Sequence, residues 1–343
     1  MNYKVFLSYI VFIIITLVIL FLPYLLLDPN QQDQAKALRV MSYSSFINQW
    51  GAGPEVARLF EQKTGIPIQW INAGNAGLII ERLKFKRETD LPDIVVGLDQ
   101  FAIFEARRHF KWLNVRKGLS SRPDLLPKGA RFHDFLAYDW GALTFVYREG
   151  ELPAPTSLDS LLDEQFKKKL IFQDPRISSP GLQFLLWVLG AKGEEEGLRY
   201  LEKLKPSILS IAPSWSASYN LFKMERPSIV FSYFTSPYYH KQDQTSYQGA
   251  VFDIPHPIQV EYAGIPDFCI NCDMAKKFAH FLLEPDVQKI IMEKNYMFPV
   301  VSDAMTGSDF VLPKNVKYTA PIENLSLIKK KRELVNHWKR VFF

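Results

Sequence analysis

Residues 38–43, LRVMSY, begin a stretch in which short apolar strands alternate with amphipathic helices. The segment GPEVARLFEQKTG (53–65) has apolar residues on one helical face and a glycine at its end, so it predicts a helix. The pattern continues with IPIQWIN (66–72), a second strand, AGLIIERLKFKRE (76–88), a second helix, and DIVVGLD (93–99), a third strand. Strands separated by helices in this way are typical of an α/β unit with parallel strands.

The strand and helix pattern is repeated in the second half of the chain. LAYDWGALTFVYR (136–148) alternates and then becomes continuously apolar, which predicts a long strand pair or a crossover segment. KLIFQDP (169–175) and PSIVFSYFTSP (227–237) predict strands, and GLQFLLWVLGA (181–191) predicts a helix between them. IQVEYAGIP (258–266) returns as a strand, and the C-terminal third is mostly helical. A chain of 343 residues is long enough for two such units.

Residues 1–37 are predicted to be a membrane anchor or signal segment followed by a linker. From Val5 to Leu27 the chain is apolar and carries no charge, which matches the ~20 residues that cross a bilayer. Lys4 precedes this stretch and Asp28 follows it, so the N-terminus is expected in the cytoplasm. The stretch exceeds the ~7–15 apolar residues of a signal peptide, which favours an uncleaved anchor. In either case the body is periplasmic or extracytoplasmic.

The composition excludes several classes of function. The net charge of +5 comes with no dense Lys/Arg run, so we expect no nucleic-acid partner. No nucleophile elbow, zinc-protease motif or phosphate-binding glycine loop follows a strand, so we predict no enzyme, no cofactor and no metal. Cys269 and Cys272 are spaced as CINC. A short local disulfide or two inert thiols is the favoured interpretation over a redox dithiol.

Polar and aromatic side chains follow the predicted strands at their carboxyl ends, where ligands bind in doubly wound sheets. Aromatic rings in a cleft can hold a flat heterocycle, and each ring face attracts a cation by about 0.5–2 kcal/mol. A carboxylate such as Asp99 or Asp174 would add charge complementarity. Ordinary packing explains any single ring, and only the cluster predicts a cleft for a flat, cationic ligand. The clustered rings are Trp215, Tyr219, Tyr233, Tyr238, Tyr239 and Tyr296.

The segment QDPRISSPG (173–181) places two hydroxyl groups at the start of a predicted helix. Ser178 and Ser179 together with the backbone N–H groups of the first turn would form an anion site. Helix capping by one of these serines, worth about 1 kcal/mol, is the alternative. A phosphate ester of a flat cation would use both the rings and this helix start.

Seven segments resemble, in order and spacing, the periplasmic thiamine-binding proteins of ABC importers, a group of bacterial extracellular solute-binding proteins. They are YSSFINQWGAGPEV, DIVVGLDQ, YDWGALTFVY, IFQDPRISSPGLQFLLW, WSASYNLF, SYFTSPYYH and NYMFPV. The resemblance covers residues 38–343. It implies an α/β protein of the type II periplasmic-binding fold, with two lobes and a ligand cleft between them. The apolar stretch of residues 5–27 predicts one N-terminal transmembrane helix before this body, which departs from the cleaved signal of these relatives. The resemblance divides the body into residues 38–145 and 255–343 as lobe 1 and residues 146–254 as lobe 2.

The resemblance also implies a function, in which the lobes close over thiamine or thiamine phosphate and deliver it to an ABC permease in the membrane. Tyr296 stands where these relatives carry a tryptophan, and Asn75 stands where they carry an acidic residue. Loss of that carboxylate removes a partner for the cationic side of thiamine, although Asp99 would compensate, and it implies that Asn75→Asp would tighten binding. The remaining ligand-lining residues implied by the resemblance are Tyr43, Trp50, Ser178, Trp215, Tyr233 and Tyr239.

Three other functions are also consistent with the sequence. Tyr238 and Tyr239, followed by His240, resemble the paired tyrosines of ferric-iron-binding transport proteins, and hard oxygen ligands suit that ion. A function of another class would be a membrane-anchored thiol oxidoreductase that uses Cys269 and Cys272, or a solute sensor that signals to a membrane partner.

Overall fold

The structure, a computed structural model, describes residues 37–343 except 86, 88–89, 120–122, 225–226, 242–244, 312, 315 and 320–324. The predicted span at residues 5–27 lies outside the described residues. Within the described part of the chain, no helix has both the length and the apolar composition to cross a membrane.

Strands and helices alternate along most of the chain. The strands are β1 Leu38–Ser42, β2 Ile68–Asn72, β3 Ile94–Asp99, β4 Phe135–Arg148, β5 Leu170–Gln173, β6 Ile208–Ala212, β7 Ile229–Tyr233, β8 Tyr247–Gly249, β9 Ile258–Gly264 and β10 Phe298–Pro299. The α-helices are α1 Ser44–Ile47, α2 Gly53–Thr64, α3 Ile79–Lys84, α4 Ala102–His109, α5 Ser179–Lys192, α6 Glu194–Leu204, α7 Trp215–Lys223, α8 Cys272–Phe281, α9 Pro285–Asn295, α10 Leu325–Lys329 and α11 Lys331–Phe342.

The first half of the sheet has the strand order β2-β1-β3-β9-β4. β1 pairs in parallel with both β2 and β3, which confirms the parallel arrangement predicted for the first three strands. Helix α2 ends as predicted at Gly65, which has φ +72°, a conformation that glycine adopts without steric cost. The predicted second helix is shorter than expected, because a 3₁₀ turn at Ala76–Leu78 precedes α3.

Strand β4 connects the two halves of the sheet. Its residues 135–142 pair antiparallel with β9, and its residues 143–147 pair antiparallel with β7. This single long strand is the crossover that the alternating and then apolar pattern of residues 136–148 indicated. The second half continues as β7-β5-β6, with β5 parallel to both neighbours. The chain returns to the first half between β8 and β9, since β8 pairs with the second half of β4.

Two main apolar clusters fill the halves of the molecule. One includes Val40, Val95 and Phe278, and the other includes Phe145 and Phe231. The C-terminal helices α10 and α11 pack against the second cluster through Ile328, Leu334 and Trp338. The predicted division placed all of residues 255–343 in the first lobe, whereas α10 packs against α5 and α11 packs against α6, both in the second half of the molecule.

Cys269 and Cys272 form a disulfide at the start of α8. The turn between them is fixed by Asp93, which accepts hydrogen bonds from the N–H groups of Ile270 and Asn271. Asp93 immediately precedes β3, so the disulfide lies at the amino ends of the parallel strands. In sheets of this kind, ligands bind at the carboxyl ends of the strands, on the opposite edge. The arrangement therefore agrees with the short local disulfide and gives the pair no role at the carboxyl-end edge.

Candidate ligand-binding site

A cavity of about 260 Å³ lies at the carboxyl ends of β1, β2, β5, β6 and β7. Both halves of the sheet contribute to it, so it occupies the position expected for a cleft between two α/β units. Its lining comes from the segments that follow those strands, from β9 and from the end of α9. The lining residues are Tyr43, Ser44, Ser45, Gly74, Asn75, Ala76, Leu78, Ser178, Ser179, Pro180, Ser214, Trp215, Ser216, Tyr233, Gln259, Glu261 and Asn295.

Several residues predicted from the sequence meet in this cavity. They are Tyr43, Asn75, Ser178, Trp215 and Tyr233. Four others are not among its lining residues, namely Trp50, Asp99, Tyr239 and Tyr296. The residues that meet all lie at the carboxyl end of a strand, in the segment after one or at the start of a helix, which is the feature by which the sequence located the cleft.

The four residues outside the cavity have other surroundings. The Trp50 side chain is 76% exposed in the turn after α1. Asp99 accepts hydrogen bonds from the N–H groups of Phe101 and Ala102, so its carboxylate holds the start of α4 and does not replace the charge missing at Asn75. Tyr239 and Tyr296 pack edge to face at 5.3 Å, and the Tyr239 hydroxyl accepts a hydrogen bond from Lys223.

Trp215 forms an oriented aromatic wall of the cavity. Its ring stacks on Tyr219 with centroids 4.9 Å apart and planes at 17°, and its Nε1 donates to Ser232 Oγ at 2.8 Å. Tyr233, at the end of β7, forms a neighbouring part of the lining. A Cβ atom at Gly141 would lie 2.7 Å from the Tyr233 ring, so the absence of a side chain there gives this ring its space. Stacking and hydrogen bonding fix the Trp215 ring before any ligand binds.

The N-terminus of α5 faces the cavity with its polar groups uncapped. Ser178 occupies the N-cap position, but its side chain makes no capping hydrogen bond. Ser179 is 2% exposed, and its Oγ has no partner among the described residues. The first-turn N–H groups of a helix have no partners inside the helix. The capping alternative is therefore absent here, and the arrangement is one that binds anions. By contrast, Ser214 caps α7 through the N–H of Ala217.

A pair of buried carboxylates lies at the floor of the cavity, and the sequence interpretation missed it. Tyr43 and Tyr138 donate hydrogen bonds to Glu261 Oε2 at 2.6 and 2.7 Å. Asn295 Nδ2 donates to Asp139 Oδ2 at 2.8 Å and to the Tyr43 hydroxyl at 3.1 Å. The available signal was the glutamate in IQVEYAG, because a charged residue within a strand buried on both faces is uncommon.

Burial governs the protonation of this pair. Removal from water is the largest cause that raises the pKa of Asp139 well above its ordinary value, and the negative charge of Glu261 adds to it. Burial also raises the pKa of Glu261, against the lowering effect of the hydrogen bonds from Tyr43, Tyr138 and Gln259. Two carboxyl groups that interact in this way lose their protons in two separate steps, and the apparent pKa of each step belongs to the pair rather than to either residue.

Direct contacts close the mouth of the cavity. Asn75 Nδ2 donates a hydrogen bond of 2.8 Å to the carbonyl oxygen of Pro213, which lies between β6 and α7. Gly77 faces the backbone of Ile177 so closely that a Cβ atom would lie 2.6 Å from the Ile177 oxygen. The loop after β2 therefore touches the segments after β5 and β6, and Asn75 uses its amide as a donor across the cleft.

Tyr238 and Tyr239 have different partners. Tyr238 stacks on Phe310 at 4.4 Å, and its hydroxyl accepts the N–H of Val311 at 2.8 Å. Tyr239 instead contacts Lys223 and Tyr296. Neither tyrosine lines the cavity. The geometry therefore gives no support to a paired tyrosine site for ferric iron at the cleft.

The sequence of this chain is similar to those of known bacterial proteins. The family model for bacterial extracellular solute-binding proteins matches residues 89–325. The chain belongs to this family. This solute-binding protein is 32% identical over 317 residues to the thiamine-binding periplasmic protein of Brucella melitensis biotype 1, covering 91% of its own length and 93% of the relative. The family is one of solute-binding rather than catalytic proteins.

Solved structures agree with the fold of this solute-binding protein. A periplasmic thiamin-binding protein superimposes with a TM-score of 0.79 at 27% identity, covering 90% of this chain and 96% of that one. The ferric-binding protein of Campylobacter jejuni superimposes with a TM-score of 0.68 at 18% identity, over 89% and 99% of the two chains, and that likeness shows the fold alone. The predicted α/β periplasmic-binding fold and the predicted family resemblance are confirmed.

Proposed function

We propose that this protein is the extracytoplasmic substrate-binding component of an ABC importer and that it binds thiamine or thiamine phosphate. One observation carries the proposal: a single cavity combines an aromatic wall, an uncapped helix N-terminus and a buried carboxylate. Thiamine phosphate has three matching parts, which are flat aromatic rings, an anionic phosphate and positively charged or amino groups. The names of relatives that bind thiamine support the same ligand.

The proposed contacts follow the lining of the cavity. Trp215 and Tyr233 would hold the rings by stacking, and Tyr43 would contact them from the first half of the sheet. Ser178, Ser179 and the first turn of α5 would bind the phosphate. Tyr239 and Tyr296 would support the wall from behind, because Tyr239 packs against Tyr219, on which Trp215 stacks.

The membrane segment and the lobes belong to the same proposal. An uncleaved anchor at residues 5–27 would keep the receptor at a high effective concentration near its permease. The two α/β lobes would close about the crossovers at β4 and between β8 and β9. The C-terminal helices would move with lobe 2, since α10 and α11 pack on its core.

A thermal-shift panel on the full-length protein tests the proposal. We expect thiamine, thiamine monophosphate and thiamine diphosphate to raise the melting temperature, since a ligand at 100 times its Kd stabilises a protein by about 2.7 kcal/mol. Spermidine and Fe³⁺ serve as the comparison compounds. A shift with Fe³⁺ alone, accompanied by a purple tyrosinate absorption band, would contradict the thiamine proposal and restore the iron alternative.

Replacing Asn75 by aspartate is expected to weaken thiamine binding, in contrast to the tightening that the family resemblance implies. An aspartate at this position has no N–H to donate to Pro213, and its oxygen would face a carbonyl oxygen across the mouth. We expect a loss of about tenfold, measured by isothermal titration calorimetry. Asn75→Ala, which removes the hydrogen bond without adding charge, is the matched comparison. Tighter binding by Asn75→Asp would show that the missing carboxylate matters more than the closing contact.

A further inference from the structure

The two carboxylates beneath the cavity have no cationic partner among the residues that the structure describes. Glu261 is 4% exposed and Asp139 is 0% exposed. Their hydrogen-bond donors are two tyrosine hydroxyls and the amides of Gln259 and Asn295, and all of these are uncharged. Asp139 Oδ1 has no hydrogen-bond partner at all in the described part of the chain. A buried ion costs several kcal/mol unless an opposite charge compensates it.

The carboxylate pair is placed where a ligand can reach it. Glu261 lines the cavity, and Asp139 lies opposite it in the pairing of β4 with β9. Asp99 lies opposite Glu261 on the other side, in the pairing of β3 with β9, so three acidic residues stand abreast across the sheet. The Asp99 carboxylate already accepts hydrogen bonds from the N–H groups at the start of α4. The other groups that face the pair are Tyr43, Tyr138, Tyr233, Gln259 and Asn295.

Glu261 retains capacity for a ligand. A carboxylate offers about four lone-pair positions, and the two oxygens of Glu261 accept three hydrogen bonds, two at Oε2 and one at Oε1. The neighbouring Gln259 Oε1 also has no hydrogen-bond partner among the described residues. The floor of the cavity therefore offers acceptors and negative charge, whereas the α5 end offers donors. A ligand with a cationic or N–H-rich part and an anionic part would match this polarity.

We propose that Glu261, supported by Asp139, is the carboxylate that recognises the cationic or amino-bearing part of the ligand. It would take the role of the acidic residue whose place Asn75 occupies in this chain, and it would act from the floor of the cleft rather than from its mouth. The identity of the ligand, thiamine with its thiazolium ring and aminopyrimidine, rests on the proposed function. The requirement for a positively charged or N–H-donating ligand rests on the carboxylates themselves.

Proton linkage gives this proposal a signature that a structural glutamate would not have. Burial raises the pKa of both groups, so the pair retains a proton to higher pH than ordinary carboxyl groups do. An approaching cation favours the ionised form of the pair. Binding of a cationic ligand is therefore expected to release a proton, and the affinity is expected to rise as the pH rises and the pair ionises.

Isothermal titration calorimetry of the full-length protein with thiamine tests the proposal. Titrations at pH 7 in buffers of low and high ionisation enthalpy measure the protons released. We expect proton release by the wild-type chain, and at least tenfold weaker binding without proton release by Glu261→Gln. Glu293→Gln makes the same charge change at an exposed position of α9 and is expected to leave both unchanged. Equal affinity and equal proton release in Glu261→Gln would overturn the inference.

Two further results separate this inference from the proposed function. Failure of the wild-type chain to bind thiamine would contradict the function, and titration with spermidine would then test Glu261 with another organic cation. No cation binding, or spermidine binding that Glu261→Gln leaves intact, would overturn the inference. Asp139→Asn keeps the test open if Glu261→Gln does not fold. It leaves Glu261 without its acidic neighbour, so it is expected to reduce the proton release while thiamine still binds, and unchanged release would count against the pair.

Discussion

Replacement of Trp215 by alanine is expected to weaken thiamine binding about thirtyfold, or about 2 kcal/mol, the scale of an aromatic hot spot in a desolvated pocket. The Trp215 ring is fixed from behind by Tyr219 and at its edge by Ser232, so the ordering cost of this wall is met before the ligand arrives. Truncation to alanine would remove the ring face on which the ligand stacks, and it would enlarge the cavity on that side. Calorimetric titration of thiamine measures the change.

Trp50→Ala is the informative comparison for this prediction. The family resemblance implies that Trp50 lines the ligand, whereas the structure exposes its side chain in the turn after α1. The cavity geometry predicts that Trp50→Ala changes the affinity less than twofold. A loss in Trp50→Ala as large as that in Trp215→Ala would mean that the ligand lies nearer the mouth than the cavity described above.

A methyl group at Gly77 is expected to reduce the affinity for thiamine at least tenfold by opposing closure. The Cβ of Gly77→Ala would lie 2.6 Å from the Ile177 oxygen and 3.2 Å from the Ser178 nitrogen. These are backbone atoms and cannot rotate away as a side chain would. The loop after β2 must therefore separate from the start of α5, and this separation disrupts both the Asn75 contact and the proposed phosphate subsite.

Small-angle scattering distinguishes this mechanism from a folding defect. With saturating thiamine, Gly77→Ala is expected to keep a larger radius of gyration than the wild-type protein, because its halves remain apart. Its melting temperature in the absence of ligand is expected to change little, since an open cleft relieves the contact. A compact Gly77→Ala protein with wild-type affinity would show that this approach of the two loops is not needed for binding.

Local sequence patterns predicted the strands and the residues that follow them. LRVMSY and DIVVGLD form β1 and β3, and Tyr43, Trp215 and Tyr233 reach the cavity because each ends a strand, follows one or begins a helix. Strand formation and the position of a residue after a strand depend on neighbours only a few residues away, so hydrophobic periodicity and turn residues predict them.

The acidic floor depends on long-range pairing instead. Glu261 meets Tyr43 across 218 residues of sequence, and it meets Asp139 only because β9 is inserted between β3 and β4. No local pattern records that strand order. The same reason explains why the sequence predicts α11 in the first lobe although it packs on the second core: its apolar face is compatible with either core until the topology places it.

Asn75 shows a different limit of the sequence. By its resemblance to the thiamine-binding relatives, Asn75 stands where they carry a carboxylate. The surrounding residues AGNAG do not predict any role for its amide group. In the structure the amide nitrogen spans the mouth to Pro213, a contact that a carboxylate cannot make. Asparagine in place of the acidic residue of the relatives thus removes one negative charge and supplies a hydrogen bond across the cleft.

A crystal structure of the protein with thiamine monophosphate tests the central claim most directly. We predict one ligand in the cavity, with a ring against Trp215, the phosphate at Ser178 and Ser179, and an amino group or the thiazolium ring facing Glu261. Density for the ligand elsewhere on the molecule, or in the cavity with the phosphate directed at Glu261, would contradict this account.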